Sequence, residues 1–206
     1  MSTSIRTAVF GAALLVASHA APASAQNAIF TDIRESVPLR YFDAATTAAQ
    51  PGAPNILVIG FHEVAPFRAS AQVGNTTGTR LAADTLSVVI SAPPHHAISS
   101  ITFRLSGRGA VNTPGDARAS ANLVVNGQPI SLGSFGGGQF PSTGAAWSRS
   151  QTITFVDPAL TSVPVSLTAQ LFAFAVQSLA SAEVDLTSAT IEVGFTTPTA
   201  TASPQQ

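Results

Sequence analysis

The sequence predicts an all-β domain: an antiparallel β-sandwich of jelly-roll or immunoglobulin-like type with about eight strands. Three observations carry that expectation. Runs alternating apolar and polar residues at period two, rich in Val, Ile, Thr and Phe, recur between residues 56 and 195, and that period marks a strand with one buried face. Clusters of Gly, Pro and Asn separate the runs, as turns require. Helical spacing of apolar residues is hard to find after residue 26.

Taken in order, residues 1–25 read as a secretory signal: a single charge at Arg6, an apolar run from Ala8 to Ala17, then Ala23-Ser24-Ala25 before Gln26. The run is too short to cross a bilayer, and no later stretch offers about twenty uninterrupted apolar residues, so no membrane span is expected. A secreted or periplasmic protein follows as the expectation. Residues 26–54 read as an irregular N-terminal segment in which Tyr41-Phe42 stands isolated. The sandwich is assigned to residues 55–196, with strands at 56–62, 85–91, 98–106, 119–125, 128–134, 151–156, 163–176 and 182–195. Residues 133–141 read as a mobile Gly-rich loop, and Gly107-Arg108-Gly109 as a turn. The closing residues 197–206 lack a core-forming side chain and are expected to be disordered.

Two stretches predict register as well as strands. In Leu123-Val124-Val125-Asn126-Gly127-Gln128-Pro129-Ile130, Asn126-Gly127 suits a two-residue type I′ turn, setting Leu123 opposite Ile130 and Ala121 opposite Leu132. Pro129 then falls opposite Val124 with no N–H to offer, which makes 128–134 a sheet edge. In the last two long runs the apolar parity changes once in each. A long hairpin pairing Phe174 with Val184, Phe172 with Leu186, Leu167 with Ile191 and Val163 with Phe195 accounts for both changes.

Composition bounds the function. Charged residues make up 9% of the chain, and without Arg6 eight arginines face ten acids, with no lysine and no basic cluster. A nucleic-acid partner needs a positive field, so none is expected. Cysteine is absent, which excludes disulfides and thiol catalysis and leaves the fold to packing and hydrogen bonds.

Candidate sites are few. Pro93-Pro94-His95-His96 reads first as a turn, because adjacent residues of a strand point to opposite faces and could not share a ligand. Should the backbone turn there, His95 or His96 could join His62 and Glu63 in a zinc site of two imidazoles and a carboxylate. His62-Glu63-Val64-Ala65-Pro66 is not the helical zinc motif, since the second histidine is missing and Pro66 opposes a helix. No G-x-S-x-G elbow, phosphate-binding loop or calcium loop occurs, so no catalytic residue and no cofactor are assigned. Trp147, the sole tryptophan, lies two residues before Arg149. Exposed, the pair could hold a sugar or another planar ligand together with the loop Gly136-Gly137-Gly138; buried, Trp147 is a core residue.

Around Ala180-Ser181-Ala182-Glu183-Val184-Asp185-Leu186-Thr187-Ser188-Ala189-Thr190, the chain resembles the closing strands of exported bacterial β-sandwich proteins, including those of the PEP-CTERM-associated type. The sorting tail of that group is absent here. The resemblance implies an envelope or matrix-associated sandwich and transfers no site residue.

Three functions follow as expectations. The first is a non-enzymatic exported protein acting by surface interaction or assembly, with a protein or glycan of the cell envelope as partner. The second is a glycan or small-ligand binding module using Trp147 and Arg149. The third is a metal-dependent enzyme built on His62 and His95 or His96.

Overall fold

The computed structural model describes residues 27–37, 40–63, 66–72, 78–112, 114–136, 140–157, 159–176 and 180–197. The expected signal at 1–25, residues 137–139 of the expected Gly-rich loop and residues 198–206 of the expected disordered tail lie outside the described residues. The described chain forms twelve strands: β1 Ile29–Glu35, β2 Phe42–Gln50, β3 Ala53–Phe61, β4 Arg68–Gln72, β5 Gly78–Ser91, β6 Ala97–Asn112, β7 Gly115–Val125, β8 Gln128–Gly136, β9 Ala145–Thr154, β10 Ser162–Ala175, β11 Ser181–Asp185 and β12 Ser188–Thr196. They build an antiparallel β-sandwich. One sheet runs β1-β5-β10-β7-β8; the other holds β2, β3, β12, β6, β11 and β4, with β9 added to β6.

The core lies between the sheets because each long strand keeps its apolar residues on one parity. Leu86, Val88 and Ile90 of β5, Ile101, Phe103 and Leu105 of β6, and Leu123 and Val125 of β7 are buried, while their neighbours in sequence are more exposed. At one end the inward positions shrink to Ala69, Ala71, Ala117, Ala119, Ala173, Ala175 and Ala182. Main-chain atoms of β10 come within 8 Å of β4 and β11 across the interior, closer than the ~10 Å usual between packed sheets. Methyl side chains permit that approach.

The Asn126-Gly127 hairpin forms as its residues require. Both residues have positive φ (50° and 78°), and Leu123 pairs with Ile130 and Val124 with Pro129. The strand carrying Pro129 is the edge of its sheet. Beyond Asn122 a bulge at Gly133 (φ 78°) shifts the register, so Ala121 and Leu132 do not stand as a ladder pair.

Four expectations are corrected. Residues 26–54 are not irregular: β1 pairs with β5 and β2 with β3. With β4 also unforeseen, and the last run divided into β11 and β12, the strand total rises from about eight to twelve. The long terminal hairpin does not form, since β10 lies between β5 and β7 whereas β11 and β12 belong to the other sheet. Along β10, Val163, Val165, Leu167, Ala169, Leu171, Ala173 and Ala175 all face inward. No parity switch exists there; Phe172 and Phe174 sit on the outer face and outweigh the alanines of the inner one. The switch between Val184 and Ala189 is real, and its cause is a bulge. Val184 pairs with Gly109 and Ser188 with Ser106, which leaves one residue more on this strand than on β6. Finally, Gly107 and Gly109 lie within β6 rather than in a turn.

Candidate functional site

The four residues Pro93 to His96 form a turn between β5 and β6. The His96 N–H donates to the Pro93 carbonyl at 3.2 Å, and His95 has φ 63°. With Pro94 and then a left-handed residue at the centre, this is type II geometry, in which His95 holds a position usually given to Gly or Asn. His96 Nδ1 lies 2.9 Å from the Pro94 carbonyl, and its ring meets Phe195 edge-on at 6.5 Å. His96 is thereby held by the turn and by Phe195, and His95 is fixed in its backbone by the turn.

His62 lies far from them. It follows β3, where Leu57 is level with Ile191 and Phe103, so His62 is near the far end of β6 while His96 directly precedes its start. At ~3.3 Å per residue the separation exceeds about 30 Å along the strands. The structure does not bring His62, His95 and His96 together, and Glu63 is exposed beside a cavity of about 350 Å³ shared with Phe67, Arg68 and Asp185.

His62 instead meets two carboxylates absent from the sequence reading. Its Nε2 is 3.5 Å from Glu35 Oε2 and its Nδ1 4.0 Å from Asp43 Oδ2, with all three side chains largely buried. The His62 N–H donates to the Tyr41 carbonyl at 3.0 Å. Glu35 Oε1 accepts the Ala44 N–H at 2.7 Å, and Asp43 accepts the N–H groups of Ala45 and Thr46 and the Thr46 hydroxyl. The Thr46 hydroxyl bond, first among the causes, holds the Asp43 carboxyl below the usual aspartate range; burial opposes it, and the neighbouring backbone N–H groups and His62 assist. Behind this group, buried Asp84 accepts the N–H groups of Tyr41 and Phe42 at 3.0 and 2.9 Å. Tyr41 stacks on Phe67 at 4.7 Å, and Phe42 meets the same ring edge-on at 5.2 Å. Asp-Ala-Ala-Thr-Thr at 43–47 was the available signal: a carboxylate three residues before a threonine is an Asx-type turn former.

The other expected pair does assemble. Trp147 and Arg149 both stand on β9, paired with Gly107 and Leu105 of β6, so their side chains leave the sheet on the side facing the interior. The opposite sheet ends at β8 and does not cover this strand fully: Trp147 is half-buried and Arg149 exposed. The indole N–H donates to the Arg108 carbonyl at 3.3 Å. Gly107 is what gives the ring its place, because a Cβ there would collide with the Asp185 carbonyl and stand 2.8 Å from the indole. Gly109 does the same for Phe140, whose ring covers it. Phe140, Trp147, Arg149 and Gly136 line one concavity of about 330 Å³, room for roughly one small ligand ring system by the usual scale of binding pockets. Glycine within a strand signals a close approach of this kind, which is the clue Gly107-Arg108-Gly109 carried.

Among the described residues no helix is long and apolar enough to cross a membrane. No protein-family model and no curated protein matches the chain. Among solved structures, the chain has a likeness to TmCBM61 in complex with β-1,4-galactotriose, with 7% identity, a TM-score of 0.26, and coverage of 83% of this chain and 88% of that one. So loose a superposition leaves the fold to rest on this chain's own register: an all-β antiparallel sandwich with one edge clamped by polar side chains, where β1 meets β2, and one open edge, where β8 faces β9.

Proposed function

We propose that the protein is an exported, non-enzymatic binding module, and that its ligand is a neutral glycan unit held at the open edge. The observation that carries the reading is the convergence of Trp147, Arg149, Phe140 and Gly136 on one concavity. An aromatic face takes the C–H face of a sugar ring, and a guanidinium with five donors serves its hydroxyls. Neither role needs a titrating group, in keeping with a chain so poor in charge.

The test is tryptophan emission of the mature chain titrated with a panel of neutral β-linked hexose oligosaccharides. Because Trp147 is the only indole, a saturable change reports this site alone. We expect Trp147→Ala to weaken binding, followed by calorimetry, about tenfold or more, and Arg149→Ala by less; tenfold corresponds to ~1.4 kcal/mol. An unchanged spectrum and no heat at millimolar sugar would overturn the reading.

A second reading, assembly, has its own observation. β9 is an edge strand that carries neither proline nor lysine, and most of its side chains are exposed, whereas β8 has Pro129. Arg149 is the one charge on this edge, and an edge guarded so lightly can accept another strand. Concentration-dependent self-association, abolished by proline at Ser150, would favour this second reading, and a monomer at all concentrations would dismiss it.

A further inference from the structure

We propose that Glu35, Asp43 and His62 form a zinc site that ties the two sheets together at the clamped edge. One ligating atom from each of the three residues lies within 4.8 Å of the others. They come from three segments: Glu35 ends β1 in the five-stranded sheet, while Asp43 in β2 and His62 after β3 belong to the other. An imidazole with two carboxylates is a donor set that zinc accepts, leaving a fourth position for water.

Two further features favour a metal over an ion pair. His62 Nε2 is fully buried and has no hydrogen-bond partner among the described residues, although Glu35 Oε2 stands 3.5 Å away. A buried polar atom without a partner is costly. A cation between the donors would satisfy it. The carboxylates, moreover, are already held: Glu35 by the Ala44 N–H and Asp43 by Thr46 and Ala45. Donors on a tetrahedral zinc with bonds of ~2.1 Å stand about 3.4 Å apart; Glu35 Oε2 is 3.5 Å from His62 Nε2 and Asp43 Oδ2 is 4.0 Å from the other ring nitrogen, Nδ1, so one carboxylate must swing toward the nitrogen the other already faces for all three to share an ion. Charge agrees as well, since two carboxylates and a neutral imidazole balance a divalent ion. In a chain without cysteine such a clip supplies the cross-link that disulfides give other exported domains. The site is at the opposite edge from Trp147 and stands or falls independently of sugar binding.

The test uses the full mature chain stripped with chelator and titrated with zinc chloride. We expect one zinc per chain by calorimetry and elemental analysis, and a melting temperature that rises with zinc and falls back with chelator. Cobalt in its place should give the visible absorption of a four-coordinate nitrogen and oxygen site. Affinity should fall at least tenfold in His62→Ala, Glu35→Gln and Asp43→Asn, and stay unchanged in the double variant His95→Ala/His96→Ala. Asp43→Asn keeps the side-chain volume and one turn-accepting oxygen, so its circular dichroism separates lost zinc from lost fold. Absence of saturable binding at 100 µM zinc, on the order of the weakest useful affinity, would overturn the proposal. So would binding that follows His95 and His96.

Discussion

The two edges where the sheets meet are finished by opposite means. At the β1/β2 edge, side chains of one sheet bond to the other: Asp84 of β5 accepts from Tyr41 and Phe42, and Glu35 of β1 accepts from Ala44. At the β8/β9 edge the strands barely touch, and the gap is filled by Trp147 and Phe140 lying over the glycines of β6. The first edge is closed by carboxylates that satisfy backbone donors. The second is left open by aromatic rings with room to face a ligand. An edge sealed by polar groups gains rigidity; an edge left to aromatic rings retains a surface.

The sharpest way to break this comparison is to remove Asp84. Asp84→Ala leaves the buried Phe42 N–H and the half-buried Tyr41 N–H without an acceptor, and unmet donors cost about 1–3 kcal/mol each. We expect a loss of about 3 kcal/mol in urea unfolding, with Asp84→Asn losing about half as much, because its one oxygen can still take both N–H groups that Oδ2 takes now while its amide NH2 cannot accept from Ser36 and Thr85 as Oδ1 does. A loss under about 1 kcal/mol for Asp84→Ala would mean that the polar clamp is ornamental.

At the open edge the corresponding change is Gly107→Ala. Its Cβ would strike the Asp185 carbonyl and crowd the indole, and overpacking of this kind costs about 1–3 kcal/mol. Displacement of the indole toward water should shift its emission to the red, which Asp84→Ala should not do. Equal spectral shifts in the two variants would show that the edges are not independent. Gly109→Ala should act on Phe140 instead, narrowing the concavity and weakening sugar binding with a smaller change in emission.

Much of the sandwich was legible because its strands obey one rule, burial at period two. Leu123 to Ile130 could be placed to the residue, since Asn-Gly fixes both turn type and register. Legibility failed where small residues erase the pattern. Ala169, Ala173 and Ala175 bury their methyl groups, yet in sequence they are outshone by Phe172 and Phe174 on the outer face, which produced a false hairpin. β2 escaped notice for the same reason, being mostly Ala and Thr. Trp147 and Arg149 stood out by residue type alone, ahead of a strand expected to begin at 151; that both stand on β9 and line one concavity was not legible, because it depends on the pairing of β9 with β6. Nor were the partners of His62, since Glu35 and Asp43 reach it only through the pairing of strands across two sheets.

The smallest effect expected concerns the clamped edge and pH. Thr46→Val removes the hydroxyl bond that contributes most to the lowered pKa of Asp43, so the carboxyl should titrate closer to the ordinary aspartate range, as read by NMR. A depressed folded-state pKa stabilises above the unfolded value, and that stabilisation disappears as pH falls through the folded value. Wild type should therefore exceed Thr46→Val in stability at neutral pH, with the difference shrinking in acid as Asp43 protonates. The opposite trend, a difference that grows in acid, would show that Thr46 serves Asp43 in its protonated form, and would remove the reason for regarding that carboxylate as a pre-set ligand beside His62.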